Sequence, residues 1–373
     1  MNIKSSFIAK KRGYFYVAID YYDTDSGKVK QKLLKRFENK KDAEKHLIEV
    51  KSSINNNKFS TPSNITFVDR CWQYYNDEVK NFSPTTLKRS KTVIDKHITG
   101  FFKNTKLSDV SVSLYQRFVN HMYTKDLKVS TIKEILNKSD AVLHECYRLR
   151  EIPEKIPDFI IHPKRTDSTS KEVYTIDESK KILSEVSSVQ LLNIPMHLFL
   201  LGGLRFGEMA GLLWEDVNFK TNTLKIRHNL IYVNGTYYLR QTKTDGSTRE
   251  ISVPEHVMKL LKDEKIRQNK LKVQGLLKNE YNVVCINNLN KYWNNSSFTL
   301  SYKRFLNNIG VRYINIHSLR HAHATMLISA GTDMKTVSER LGHTDIKMTM
   351  NTYSHVLKEM DKTASDNIEK ILL

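Results

Sequence analysis

Residues 317–331 read HSLRHAHATMLISAG. Three histidines and an arginine fall within seven residues, ahead of an apolar helical run. His317 and Arg320 are three apart, so a helix or its first turn sends both to one face. A helix N-terminus favours anions through its unpaired N–H groups and its dipole. An arginine fork there can hold two oxygens of one phosphate, and a histidine beside it can move a proton near neutral pH. Taken singly, each residue has a plainer reading: one of the histidines as a core residue, Arg320 as a surface cation. His321 and His323 raise a metal site, but zinc takes three or four ligands and prefers helical pairs at i and i+4. No cysteine stands nearby and the acids lie well past the cluster, so phosphate is the expected ligand and no metal is expected.

Three other segments carry the same theme. In LGGLRFGEMAGLLWEDV (201–217), Met209, Leu212 and Leu213 form an apolar stripe that belongs in a core. Arg205 either pairs with Glu208 at i+3 or stands at the rim of a cleft. Two arginines from distant segments on one phosphate would neutralise it from both sides. Lys243, in QTKTDGSTREI, is a solvated turn cation or a general acid carried into a DNA groove. In LGHTDIKMTMNTYSHV (341–356), His343 sits in a Gly-His turn that also serves as a helix stop. Tyr353 follows a short polar helix; as one of 18 tyrosines it means little alone, yet a phenolic oxygen can act as a nucleophile at a phosphodiester that is well clamped.

These groups need a scaffold. The chain has 373 residues, which predicts two or three domains. Lys and Arg number 60 against 40 Asp and Glu, and the excess of 20 positive charges predicts a polyanionic partner. The most apolar stretch, IPMHLFLLGGL (194–204), is short of a membrane span. MNIKSSFIAKKRGYF has no apolar run behind its charges, so no secretory signal is expected. Cys71, Cys146 and Cys285 are odd in number and lack metal-like spacing, which reads as reduced cytoplasmic thiols. No internal repeat is visible.

Residues 6–37 read as a small sheet, with strands at 13–23 and 29–37 around the turn DTDSGK. A helix follows at 38–54, with Ala43, Leu47 and Val50 on one side. Residues 1–60 hold 14 Lys and Arg against 7 Asp and Glu. NNNKFSTPSN (55–64) is a linker, and 65–151 reads as helical and basic. Helix starts are signalled at Thr66 with Asp69, at Ser83-Pro84 and at Ser130, and Ile132, Ile135, Ala141 and Leu143 mark a buried stripe. The proline-rich 152–172 is a domain boundary. Residues 173–373 are mixed, with a capping box at Thr175 and Glu178 and a helix over 190–201. Strands are expected at 223–228, 237–242 and 249–254, the last two joined as a hairpin through KTDGS.

Taken together, GLRFGEMAGLLWEDV, TKTDGSTREI, HSLRHAHATMLISAG and LGHTDIKMTMNTYSHV resemble the tyrosine recombinases of the integrase type, found in phages and conjugative transposons. The resemblance covers about 173–360, and all six catalytic positions match. It implies that Arg205 and Arg320 clamp the non-bridging oxygens of the scissile phosphate. Lys243 then gives a proton to the leaving 5′ hydroxyl, His317 acts as acid or base near the nucleophile, and His343 hydrogen-bonds the phosphate. Tyr353 attacks and forms a 3′-phosphotyrosyl link. Glu208 and His321 match supporting positions. The link conserves the bond energy, so no cofactor, ATP or divalent metal is implied.

The implied fold is α+β and multidomain. It comprises a small β-sheet arm-binding domain with a helix at 1–57, an all-helical core-binding domain at 64–160 and a mainly α catalytic domain with a small antiparallel sheet at 173–373. In the first domain a three-stranded sheet would enter a major groove, with Lys10, Lys11, Arg12, Tyr14, Lys28, Lys30 and Lys32 as candidate contacts. VLKEMDKTASDNIEKILL (356–373) reads as an amphipathic helix with Met360, Ile368 and Ile371 towards one side. It packs on its own domain, or, as the resemblance implies, docks on a neighbour in a homotetramer on DNA. The implied partners are double-stranded DNA at core and arm sites, an excisionase and a DNA-bending protein. The implied place is the cytoplasm of a bacterial host, at the nucleoid. The other readings are a type IB topoisomerase-like enzyme, a DNA-binding regulator without catalysis and a metal-dependent nuclease.

Overall fold

A computed structural model describes residues 2–23, 27–55, 64–77, 79, 82–164, 172–241, 248–287, 289–342, 346 and 350. The chain divides into two units, Met1–Ser168 and Thr169–Leu373.

The first unit opens with an antiparallel sheet in the order β1 (Asn2–Lys11), β2 (Tyr14–Asp23), β3 (Lys28–Phe37). The sequence signals the second and third strands; β1, where polar and apolar residues mix, is less marked. Helix α1 (Lys40–Asn55) starts where the Asn39 side chain accepts the Asp42 N–H at 2.8 Å. Its Ala43 and Val50 pack on Val17 and Ile19, so one face of the sheet is covered and, among the described residues, the other is left open.

Helices follow: α2 (Phe67–Asp77), α3 (Pro84–Val93), a π-helical turn at Ile94–Ile98, α4 (Thr99–Phe102), α5 (Val112–Thr124) and α6 (Val129–Arg148). The caps sit where the sequence puts them: Thr66 accepts from the Asp69 N–H at 3.0 Å and Ser83 from Thr86 at 3.3 Å, with Pro84 in the first turn. Ser130 is an exception. The cap is Lys128 and the helix begins two residues earlier than expected, because Val129 is buried and is drawn into the first turn. Ile132, Ile135 and Leu143 are buried as expected, and Val142 takes the place expected of Ala141. The core holds the rings of Phe67, Phe102, Tyr115 and Phe118.

The second unit is mainly helical. It contains α7 (Ile176–Val186), α8 (Gln190–Leu200), α9 (Phe206–Ala210), α10 (Glu255–Val273), α11 (Asn295–Asn308), α12 (His317–Ser329) and α13 (Met334–Leu341). The capping box at Thr175 and Glu178 is formed in both directions. Helix α8 is buried nearly all round, so its apolar run is a core helix. Among the described residues no helix is long and apolar enough to cross a membrane. The three cysteines are buried and free.

Two small antiparallel sheets lie between α9 and α10: β4 (Val217–Asn218), β5 (Thr223–Ile226) and β8 (Arg249–Ser252) form one, β6 (His228–Val233) and β7 (Thr236–Gln241) the other. This corrects the expected pairing of 237–242 with 249–254. Strand β7 pairs with β6 across Asn234-Gly235, whose φ angles of +49° and +86° make the primed turn that matches strand twist. Strand β8 pairs with β5, which buries Leu224 beside Ile251.

Candidate active site

Helix α8 runs into Gly202-Gly203, and this turn delivers Arg205. A Cβ on Gly203 would lie 2.6 Å from the His323 ring, and its φ is +67°. Only glycine lets α8 close on α12 there. Arg205 then caps α9. Its backbone N–H donates to Glu208 Oε2 at 2.9 Å and its Nη1 to Glu208 Oε1 at 2.6 Å, so the i+3 pair expected from sequence is formed.

Two more guanidinium groups reach the same carboxylate. Arg320 enters from α12, with Nη1 3.8 Å from Glu208 Oε2 and donating to the Gly203 carbonyl at 2.7 Å. Arg249 enters from β8 and forks onto both oxygens, at 3.1 Å and 2.9 Å. Burial raises the Glu208 carboxyl, but the Arg249 hydrogen bonds and then the charges of Arg249, Arg205 and Arg320 outweigh it and hold the group at about 2. Glu208 is therefore a carboxylate throughout the working range. Three guanidinium groups around one carboxylate leave two positive charges in surplus.

Arg205 and Arg320 also hold the end of α13. Arg205 Nη2 donates to the Gly342 carbonyl at 3.1 Å, and Arg320 Nη2 donates to that of Leu341. These carbonyls have no partner within their own helix, and the arginines supply one. The two arginines differ in access: the Arg205 side chain is 36% exposed and that of Arg320 is 2%.

The three clustered histidines separate by environment. His323 is buried between α8 and α13, with Nδ1 2.8 Å from the Leu200 carbonyl and Nε2 accepting from Arg340 Nε at 3.2 Å. An arginine N–H can only donate, so Nε2 is unprotonated and the proton sits on Nδ1. Burial first, then the nearby arginine charges, bring His323 to about 4 against the opposing hydrogen bond to Leu200. It is the core histidine of the cluster. His317, exposed at the head of α12, packs edge-on against the half-buried His321, ring centroids 4.7 Å apart. His321 and His323 therefore face different surroundings.

Lys243, His343 and Tyr353 lie outside the described residues, as do Met360, Ile368, Ile371 and the rest of 356–373. Two of them have described stretches of chain close by that reach the cluster: β8 begins with Arg249, six residues after Lys243, and Gly342 directly precedes His343. Arg249 and Arg340 were not singled out from the sequence. The signal available for Arg249 was its place in TKTDGSTREI, a segment otherwise read for Lys243.

The seven arm candidates do not share a face. Lys32 pairs with Ile19, Lys30 with Tyr21 and Lys10 with Phe15, which sets them, with Lys28, on the side covered by α1. Lys11 pairs with Tyr14 on the open side, where Tyr16 and Arg36 also pair and the Arg36 guanidinium lies 4.4 Å from the centre of the Tyr14 ring. Arg12 occupies the tight turn with φ +49°.

Comparison with known proteins gives three family matches: the phage integrase family over residues 172–360, the phage integrase N-terminal SAM-like domain over 66–123 and the arm DNA-binding domain over 7–54. A tyrosine recombinase XerC-like protein of Caldanaerobacter subterraneus subsp. tengcongensis is 27% identical over 400 residues, covering 99% of each chain. The ICEBs1 integrase of Bacillus subtilis is 25% identical over 78% of each. Among solved structures, the Tn1549 transposon integrase in complex with transposon right end DNA superposes with a TM-score of 0.66 at 19% identity, over 80% of this chain and 100% of that one. A lambda integrase dimer bound to a core site gives 0.57 at 16% identity, over 93% of each.

Proposed function

The chain belongs to the phage integrase family, tyrosine recombinases that cut and rejoin DNA, and from that premise we propose how its residues divide the work. The observation that carries the proposal is the convergence of Arg205 and Arg320, from distant segments, on one buried carboxylate. A phosphodiester carries one negative charge, and the pentacoordinate state formed by attack carries two. The surplus of two positive charges around Glu208 matches the second better than the first, which is the condition for catalysis.

Arg205 and Arg320 hold the non-bridging oxygens. The Tyr353 oxygen forms a bond to phosphorus as the bond to the 5′ oxygen breaks. His317 takes the phenolic proton, Lys243 protonates the departing 5′ oxygen and His343 donates a hydrogen bond to the phosphate. The product is a 3′-phosphotyrosyl link and a free 5′ hydroxyl. A 5′ hydroxyl from another strand reverses the step, and that exchange integrates and excises a mobile element. His321 steadies His317 through their ring contact.

The partner is double-stranded DNA, bound at core sites by the helical and catalytic domains and at arm sites by the N-terminal sheet. The segment 356–373 joins protomers into a tetramer, and an excisionase and a DNA-bending protein set direction. The setting is the nucleoid of a bacterial host.

The test is a nicked duplex carrying the element's own end, which traps the covalent intermediate. Wild-type protein should yield an adduct that maps to Tyr353 and forms in EDTA. Tyr353→Phe should give none while binding the duplex within about 2-fold of wild type. An adduct in the variant would remove Tyr353 from its role, and loss of activity on chelation would favour a metal-dependent nuclease.

A further inference from the structure

Arg249 is the hub of the polar cluster. Its Nη1 and Nη2 hold both oxygens of Glu208, and its Nε donates to the Arg340 carbonyl on α13 at 2.7 Å. Its side chain also fills the space against Gly342: a Cβ there would meet Arg249 Nη1 at 3.0 Å and Cδ at 3.1 Å. One side chain on β8 therefore touches α9 beside Arg205 and the end of α13 before His343, while β8 itself follows Lys243. Through Glu208 it also reaches Arg320.

We propose that Arg249 is a positioning residue for strand cleavage, fixing Glu208 and the α13 terminus so that Arg205 and Arg320 meet one phosphate in register. The inference rests on the catalytic reading above. The physical reason is directional. A planar guanidinium sends two parallel donors to one carboxylate and a third to a carbonyl on another element. An ammonium keeps the charge and cannot satisfy all three directions at once. The ion pair is nearly dry, with 6% of the Arg249 side chain and 4% of the Glu208 side chain exposed, so no water stands ready to replace a lost donor. A displaced Glu208 would rotate Arg205 away from the oxygens it holds. A displaced Gly342 would take away the carbonyl that holds Arg205 Nη2. An error of about 1 Å in such placement costs on the order of 100-fold in rate.

The test compares Arg249→Lys, Tyr353→Phe and wild type on the nicked duplex, reading adduct formation under single turnover and duplex affinity separately. Arg249→Lys should melt cooperatively, bind within about 3-fold of wild type and form adduct on the order of 100-fold more slowly. Should Arg249→Lys not melt cooperatively, the pair Glu208→Gln with Arg249→Met, which removes both buried charges together, carries the same expectation. Full-rate cleavage by the folded variant, with Tyr353→Phe silent, overturns the inference alone. So does a loss of rate that only follows a loss of affinity, which marks a merely structural role. Adduct formation by Tyr353→Phe overturns the reading beneath it.

Discussion

His323 shows what a single residue hides in sequence and reveals in place. HSLRHAH presents three histidines with equal claims, and nothing in their spacing says which belongs to the core. Packing decides: the ring lies against Gly203 and is hydrogen-bonded on both nitrogens, one proton donated and one accepted. The arrangement works only for the neutral ring. Protonating Nε2 would set an N–H against the Arg340 N–H in a site with 4% exposure. The group sits at about 4 when folded, against an ordinary 6.5. The unfolded chain therefore takes up a proton first, and stability is lost as pH falls from 6.5 towards 4, by roughly 3 kcal/mol. Glu208 acts in a lower window. Its folded value of about 2 lies below the ordinary 4.5, so its contribution is whole above 4.5 and is lost as pH falls towards 2. Melting temperatures of the full chain measured from pH 7 to 4 should fall steadily, and His323→Gln should flatten that slope. His197, also lowered by burial, leaves a residual slope in the variant. An unchanged slope would mean that His323 does not titrate as the geometry requires.

At the scale of elements, the local signals that survived are those with short-range causes. The Thr175–Glu178 box, the Ser83-Pro84 start and the core stripe of Met209, Leu212 and Leu213 depend on neighbours in the chain, and each stands where its residues indicate. The pairing of β7 and β8 failed because two turn signals competed. Asn234-Gly235 closes β6 on β7, while Leu224 and Ile251 are buried only if β8 joins β5. That choice is made by the core, which no short stretch displays. The Gly202-Gly203 turn lies between these cases: glycine signals a turn, yet the reason for it is a histidine 120 residues away by sequence number, in α12. Gly203→Ala should cost at least about 2 kcal/mol, from a left-handed backbone and a Cβ overlapping the His323 ring. It should also slow cleavage, because the Gly203 carbonyl is an acceptor for Arg320. A melting curve within a degree of wild type, with cleavage intact, would show that the turn tolerates a side chain.

At the scale of the whole molecule, composition pointed to a polyanionic partner, since 20 surplus positive charges have no use in a core. It did not foretell which face of the N-terminal sheet would meet DNA under the proposed function, because lysines populate both. Alternation and register supply that answer. Helix α1 occupies one face through Val17 and Ile19, so the proposed groove contact falls to the other, with Lys11, Tyr14, Tyr16 and Arg36. Each phosphate a cation neutralises adds about 0.9 to the slope of log affinity against log salt. In the full-length chain on arm-site duplex, Lys11→Ala with Arg36→Ala should weaken binding and reduce that slope by between one and two. Lys28→Ala with Lys30→Ala, on the covered side, should leave the slope within a few tenths of wild type. Both pairs remove the same formal charge, so a long-range field would lower the two affinities alike, whereas contact through the open face separates them. Equal losses would mean that the sheet attracts DNA without entering its groove.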